Sequence, residues 1–155
     1  MASDVTVFVP FDDRARPLSA DEALEAVRAA HPRWAVARFG PRAFAVGLYG
    51  RTPVRVARAG GPFVSEESGE MADVVLARTG DAALADRVRG ANARFEVHWD
   101  AGDDDDLVPE TGGVVVECAR LLARLTGGAA LVGGSRPIPE NADPDAAVDL
   151  LFPRG

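Results

Sequence analysis

The chain has 155 residues, 24 of them acidic and 17 arginine, with no lysine and a formal net charge of −7. That size fits one globular domain, burying roughly 70% of its unfolded surface without disulfides or a structural metal. The charge argues against a nucleic-acid partner, because such binding rests on neutralising phosphates, and no apolar run reaches the ~18–20 residues of a membrane span.

Val5-Thr6-Val7-Phe8-Val9 is rich in β-formers and bounded by Pro10, which predicts a strand. Ser19-Ala20-Asp21-Glu22 has capping-box spacing, with Leu24, Val27 and the alanines at 20, 23 and 30 forming an apolar helix face until His31-Pro32 stops it. Trp34–Phe39 and Ala43–Tyr49 read as strands paired across Gly40-Pro41-Arg42, and Val54–Arg58 as a third, with Val54 and Val56 alternating against Arg55 and Arg58. The glycines, proline and glutamates of Gly60–Glu70 predict a surface loop. Met71–Arg78 reads equally as a strand or a short helix.

Asp81 is placed to cap a helix running to about Gly90, with Leu84 and Val88 inward. Phe95, Val97 and Trp99 then alternate with Glu96, His98 and Asp100, as in a strand with one apolar and one polar face. After the acidic run Asp103–Asp106, the longest helix begins near Glu110 and Thr111 and ends at Gly127-Gly128, with Val114, Val115, Cys118, Leu121, Leu122 and Leu125 as its stripe. Ala129–Val132 reads as a short buried strand, and Pro144 suits the start of a last helical turn over Asp145–Leu151. Together these predict an α+β fold, a mainly antiparallel sheet with two principal helices on one face, in a single domain over 1–139 followed by a tail over 140–155.

Charge is uneven along the chain: residues 1–58 hold six acids and nine arginines, residues 59–155 eighteen acids and eight arginines, or +3 against −10. An acidic surface of this kind suits a basic protein partner, whose encounter opposite fields accelerate. With Cys118 the only cysteine, no intramolecular disulfide can form, and with no basic-then-apolar leader in Met1–Pro10 a reducing cytoplasm is the expected location. Arginine in place of all lysine, a single isoleucine (Ile138) and abundant alanine and glycine point to a high-GC bacterial genome.

Glu96, His98 and Asp100 share a strand face by their period of two, with Asp103, Asp104, Asp105 and Asp106 following. Such groups are divalent-metal ligands in principle, which makes a small metal-assisted hydrolase the alternative reading. A solvated sheet face beside a hydrated acidic loop explains them more simply. The aspartate run lacks the twelve-residue ligand spacing, central glycine and closing glutamate of a calcium hand. Cys118 lies on an apolar stripe and reads as a packing residue. No GxGxxG, Walker or G-x-S-x-G pattern is present, so no cofactor is expected.

The strand Val5–Val9, the helix Ser19–His31, the hairpin Trp34–Tyr49 and the late block Arg94-Phe95-Glu96-Val97-His98-Trp99-Asp100, Val114–Thr126, Gly127-Gly128-Ala129-Ala130-Leu131 cover about two-thirds of the chain. In this pattern the chain resembles small bacterial α+β proteins of the toxin-immunity or unknown-function kind. The resemblance carries no residue-level motif. It implies a non-catalytic protein that blocks a partner, such as a basic toxin domain, by contact. The expected partner surface is Glu96, His98, Asp100 and Asp103–Asp106, joined by Glu66, Glu67 and Glu70; a homodimer through an exposed sheet edge is a further expectation.

Overall fold

The structure, a computed structural model, describes residues 4–10, 18–47, 54–99, 109–133 and 136–139, with 143 and 151. Among the described residues seven strands form one sheet: β1 (Asp4–Pro10), β2 (Ala35–Arg38), β3 (Ala43–Gly47), β4 (Val54–Gly60), β5 (Ala91–His98), β6 (Ala129–Val132) and β7 (Arg136–Pro137). Their order is β2-β3-β4-β5-β1-β6-β7, and every neighbouring pair is antiparallel. Among the described residues the sheet is covered by the helices α1 (Ala20–Ala30), α2 (Pro62–Thr79), α3 (Ala82–Arg89) and α4 (Pro109–Thr126). The molecule is α+β, as its sequence predicts.

Side chains alternate across the sheet, so each strand feeds both faces. On the first face Val5, Val7 and Val9 of β1 lie opposite Val97, Phe95 and Ala93 of β5, flanked by Val54 and Val56 of β4. The two principal helices cover this face. α1 contributes Ala23, Leu24 and Val27; α4 contributes Val114, Val115, Val116, Cys118, Ala119 and Leu122 to the same buried cluster. Ile138 and Leu151 join it from the C-terminal region. Of the stripe expected on α4, Leu125 is instead 48% exposed at the end of the helix. Ala30 is likewise exposed in the last turn of α1.

Local chemistry sets the ends of these helices. The Ser19 hydroxyl accepts from the Glu22 N–H at 3.1 Å, and the Glu22 carboxylate accepts from the Ser19 N–H at 3.3 Å, which completes the capping box. His31, at the far end of α1, stacks on Trp34 with ring centres 3.7 Å apart, and its Nε2 lies 3.5 Å from Glu117 of α4. Gly128 follows α4 where a side chain has no room: a Cβ there would fall 2.2 Å from the Phe8 carbonyl oxygen.

A second helical layer, which the hydrophobic pattern does not announce, covers part of the opposite face. The surface loop expected over Gly60–Glu70 is instead the end of β4 and the first half of α2, and Met71–Arg78 continues that helix. Gly61, at φ 101°, turns the chain, Pro62 suits the first helical turn and Gly80, at φ 69°, ends it. The buried positions of α2 are Val64, Ser68, Ala72 and Val75. They keep helical spacing but are small or polar, which hides the stripe from a hydrophobicity pattern. α3 forms as expected, with the Asp81 carboxylate accepting from the Leu84 N–H at 3.0 Å. Val75, Leu84, Ala85 and Val88 pack with Phe8, Ala129 and Leu131 as a second, smaller core.

Candidate functional site: a charged row on the second sheet face

The register of the central strands builds a polar row on the second face. Arg94, Glu96 and His98 alternate along β5, with Ala59, Ala57 and Arg55 opposite them on β4. On β1, Thr6 pairs with Glu96 and Phe8 with Arg94. Phe8 belongs to the second core, so Arg94 stands where the apolar packing of α3 gives way to the charged row. Arg58, which alternates with the valines in the sequence pattern, shares the first face with Val54 and Val56. It sits near the end of the strand, where its Nε donates to the Leu18 carbonyl at 2.7 Å.

Helix α2 lies across this row. Arg94, with 16% of its side chain exposed, donates from Nη1 to Glu67 of α2, and its Nε lies 3.1 Å from Glu96 Oε1. The Nε–H is not directed at that oxygen, so this second contact is an ion pair without a hydrogen bond. Glu96 Oε2 in turn lies 3.5 Å from His98 Nε2. The chain Glu67–Arg94–Glu96–His98 is thus continuous, running from a largely buried guanidinium outward to a half-exposed imidazole. Arg55, opposite His98 in register, places its guanidinium 4.9 Å from the Phe39 ring centre, a cation–π contact.

The structure therefore brings together three of the sequence-predicted residues, Glu67, Glu96 and His98. Glu66 and Glu70 stand exposed on the same helix as Glu67. Asp100 and Asp103–Asp106 lie outside the described residues. Sequence reasoning passes over two groups, one in the row and one on the helix that covers it. Arg94 is the row's hinge, and its phase with Glu96 and His98 along β5 is the signal that could have found it. Ser68 is fully buried on the sheet-facing side of α2, with a hydroxyl that has no partner among the described residues.

This arrangement limits the chemistry open to Glu96 and His98. The two Glu96 oxygens face Arg94 and His98, and the Arg94 guanidinium, shared with Glu67, stands beside the carboxylate and repels an incoming cation. Among the described residues no cluster of three histidine, cysteine or carboxylate side chains is arranged to hold a metal ion. Cys118 is fully enclosed on the first face; burial, with a smaller push from Glu117, raises its thiol to about 12, so it is not poised as a nucleophile. No described helix is long and apolar enough to cross a membrane.

No family model matches this chain, and neither a curated protein nor a solved structure matches it.

Proposed function

We propose that the protein is a non-catalytic binding protein that neutralises a basic protein partner by contact, an immunity-type role carried out in the cytoplasm. The observation that carries this reading is the position of α2. It lies on the sheet face that bears Glu96 and His98, with Glu67 held by Arg94, so acids some thirty positions apart in sequence form one surface. Glu66 and Glu70 extend that surface outward and have no ion-pair partner among the described residues. This surface belongs to residues 59–155, which carry −10. Asp100 and Asp103–Asp106 follow β5 directly in sequence and enter the proposal on that ground. The mechanism is long-range attraction to a basic surface followed by occlusion of what the partner needs exposed. A metal-assisted hydrolase built on Glu96, His98 and Asp100 has less support, because the Arg94 guanidinium stands against Glu96 where a cation would have to bind.

The test is capture of a partner from the protein's own host, followed by association kinetics with that partner over a range of salt. Glu66→Arg with Glu70→Arg should slow association about tenfold at low salt and flatten its salt dependence. A double reversal on α1, Asp21→Arg with Glu25→Arg, should change it far less, because α1 covers the opposite face. Equal effects from the two pairs, or an association rate indifferent to salt, would remove the acidic face from the function.

A further inference from the structure

Apart from the acidic face, and independent of its role, the molecule carries a cleft of opposite character. A cavity of about 580 Å3 opens where the last turn of α4 meets α3, β6 and β7. That volume is within the ~300–1,000 Å3 usual for small-molecule sites. Leu84, Ala123, Ala129 and Ile138 supply apolar wall. Among the described residues the charged groups lining the cleft are Arg87, Arg120 and Arg124, and none of the described lining residues is acidic, in a chain with 24 acids against 17 arginines.

The three guanidinium groups are held differently. Arg87 Nη2 donates to the carbonyls of Gly127 at 3.0 Å and Gly128 at 2.6 Å, just beyond the end of α4. These contacts offset the partial negative charge of the helix C-terminus and fix the guanidinium on the cleft wall. Its Nε and Nη1 have no partner among the described residues. Arg120 pairs with Glu117 at 2.8 Å, which balances its charge. Arg124 is exposed and has no ion-pair partner among the described residues. Arg87 and Arg124 thus leave two positive charges beside an apolar wall.

We propose that this cleft binds a small organic phosphate. A phosphate dianion matches two uncompensated guanidinium charges where a carboxylate would match one, and guanidinium forks suit its oxygens. The apolar wall takes the organic body, and the glycine carbonyls that anchor Arg87 fix the site geometrically before any ligand arrives.

The test is titration of the full chain, followed by amide NMR shifts, with phenyl phosphate, inorganic phosphate and benzyl alcohol as probes. Phenyl phosphate should saturate, with shifts concentrated at Ala123, Gly127, Ala129 and Ile138. It should bind about tenfold tighter than inorganic phosphate, which lacks the ring's apolar contribution, and benzyl alcohol should not saturate. Arg124→Glu, an exposed change outside both cores, should weaken phenyl phosphate at least about tenfold. Arg87→Lys, which keeps the charge but loses the fork, should weaken it as well. Shifts away from these residues, equal affinity for the two phosphates, or affinity unchanged in both variants would overturn the proposal.

Discussion

The face covered by α1 and α4 and the face covered by α2 and α3 share the same strands but bury different material. The first encloses Phe44, Phe95, Leu122, Leu151 and a field of valines. The second encloses Phe8, Leu84, Leu131 and small residues, beside a row of charged groups. The difference shows how one sheet supports two tasks. Large apolar volume on one side holds the fold, because stabilisation grows with apolar area removed from water. On the other side the buried positions of α2 are small or polar, and Glu67 grips the largely buried Arg94 from above while Glu96 and His98 stay partly exposed.

The contrast is sharpest if one large side chain is removed from each core. Phe95→Ala, at a fully buried central position, should lower unfolding free energy by about 3–5 kcal/mol in urea denaturation. Leu84→Ala, in the smaller core and 8% exposed, should cost about 2 kcal/mol by the same measurement. If Leu84→Ala proves as damaging as Phe95→Ala, the two layers are equal partners in stability and the division drawn between them fails.

Next in size is an alkaline effect confined to the first face. The Cys118 thiol titrates at about 12 in the folded chain, well above the ~8.5 of a free thiol. The folded value is the raised one, so this contribution to stability is complete below the free-thiol value and is lost as pH rises toward the folded value. Stability should therefore fall by about 1.4 kcal/mol per pH unit between about pH 9 and the folded value, and Cys118→Ala should remove that slope. A thiol that reacts with an aromatic disulfide reagent in the native protein at neutral pH would contradict the enclosure of this side.

The smallest effect belongs to the second face. The Ser68 hydroxyl is buried without a partner among the described residues, so its burial opposes folding. Ser68→Ala should leave thermal stability unchanged or raise it by up to about 1 kcal/mol. A loss instead would mean that the hydroxyl serves the polar row, joining α2 to Arg94 more tightly than ion pairing alone.

Much of the first face is legible in the amino-acid sequence alone. The capping box at Ser19, the alternation of Phe95, Val97 and Trp99, and the stripe on α4 are local patterns, in which backbone geometry and side-chain spacing agree within a few residues. The α2 layer is not legible in this way. Gly61, Pro62, Gly69 and three glutamates resemble loop composition, and the buried positions Val64, Ser68, Ala72 and Val75 hold no large side chain to announce a core-facing stripe. The acidic residues on α2 and β5 stand out in sequence only as two separate stretches; their union through Glu67 and Arg94 depends on the packing of α2 over the sheet. The arginine cleft leaves no mark in sequence, since Arg87 and Arg124 stand 37 positions apart on separate helices.

The sequence by itself determined the elements whose signals are short-range: the first strand, the capped helix α1, the β2–β3 hairpin, the alternating β5 and the glycine-terminated α4, and from these an antiparallel α+β architecture. Only the tertiary structure decided that 62–79 is a helix, that its glutamates share a face with Glu96 and His98, and that three arginines meet in one cleft. Propensity and periodicity act over a few residues, whereas a helix of small residues is stabilised by the surface it covers, and a charged site by groups that meet only after the chain has folded.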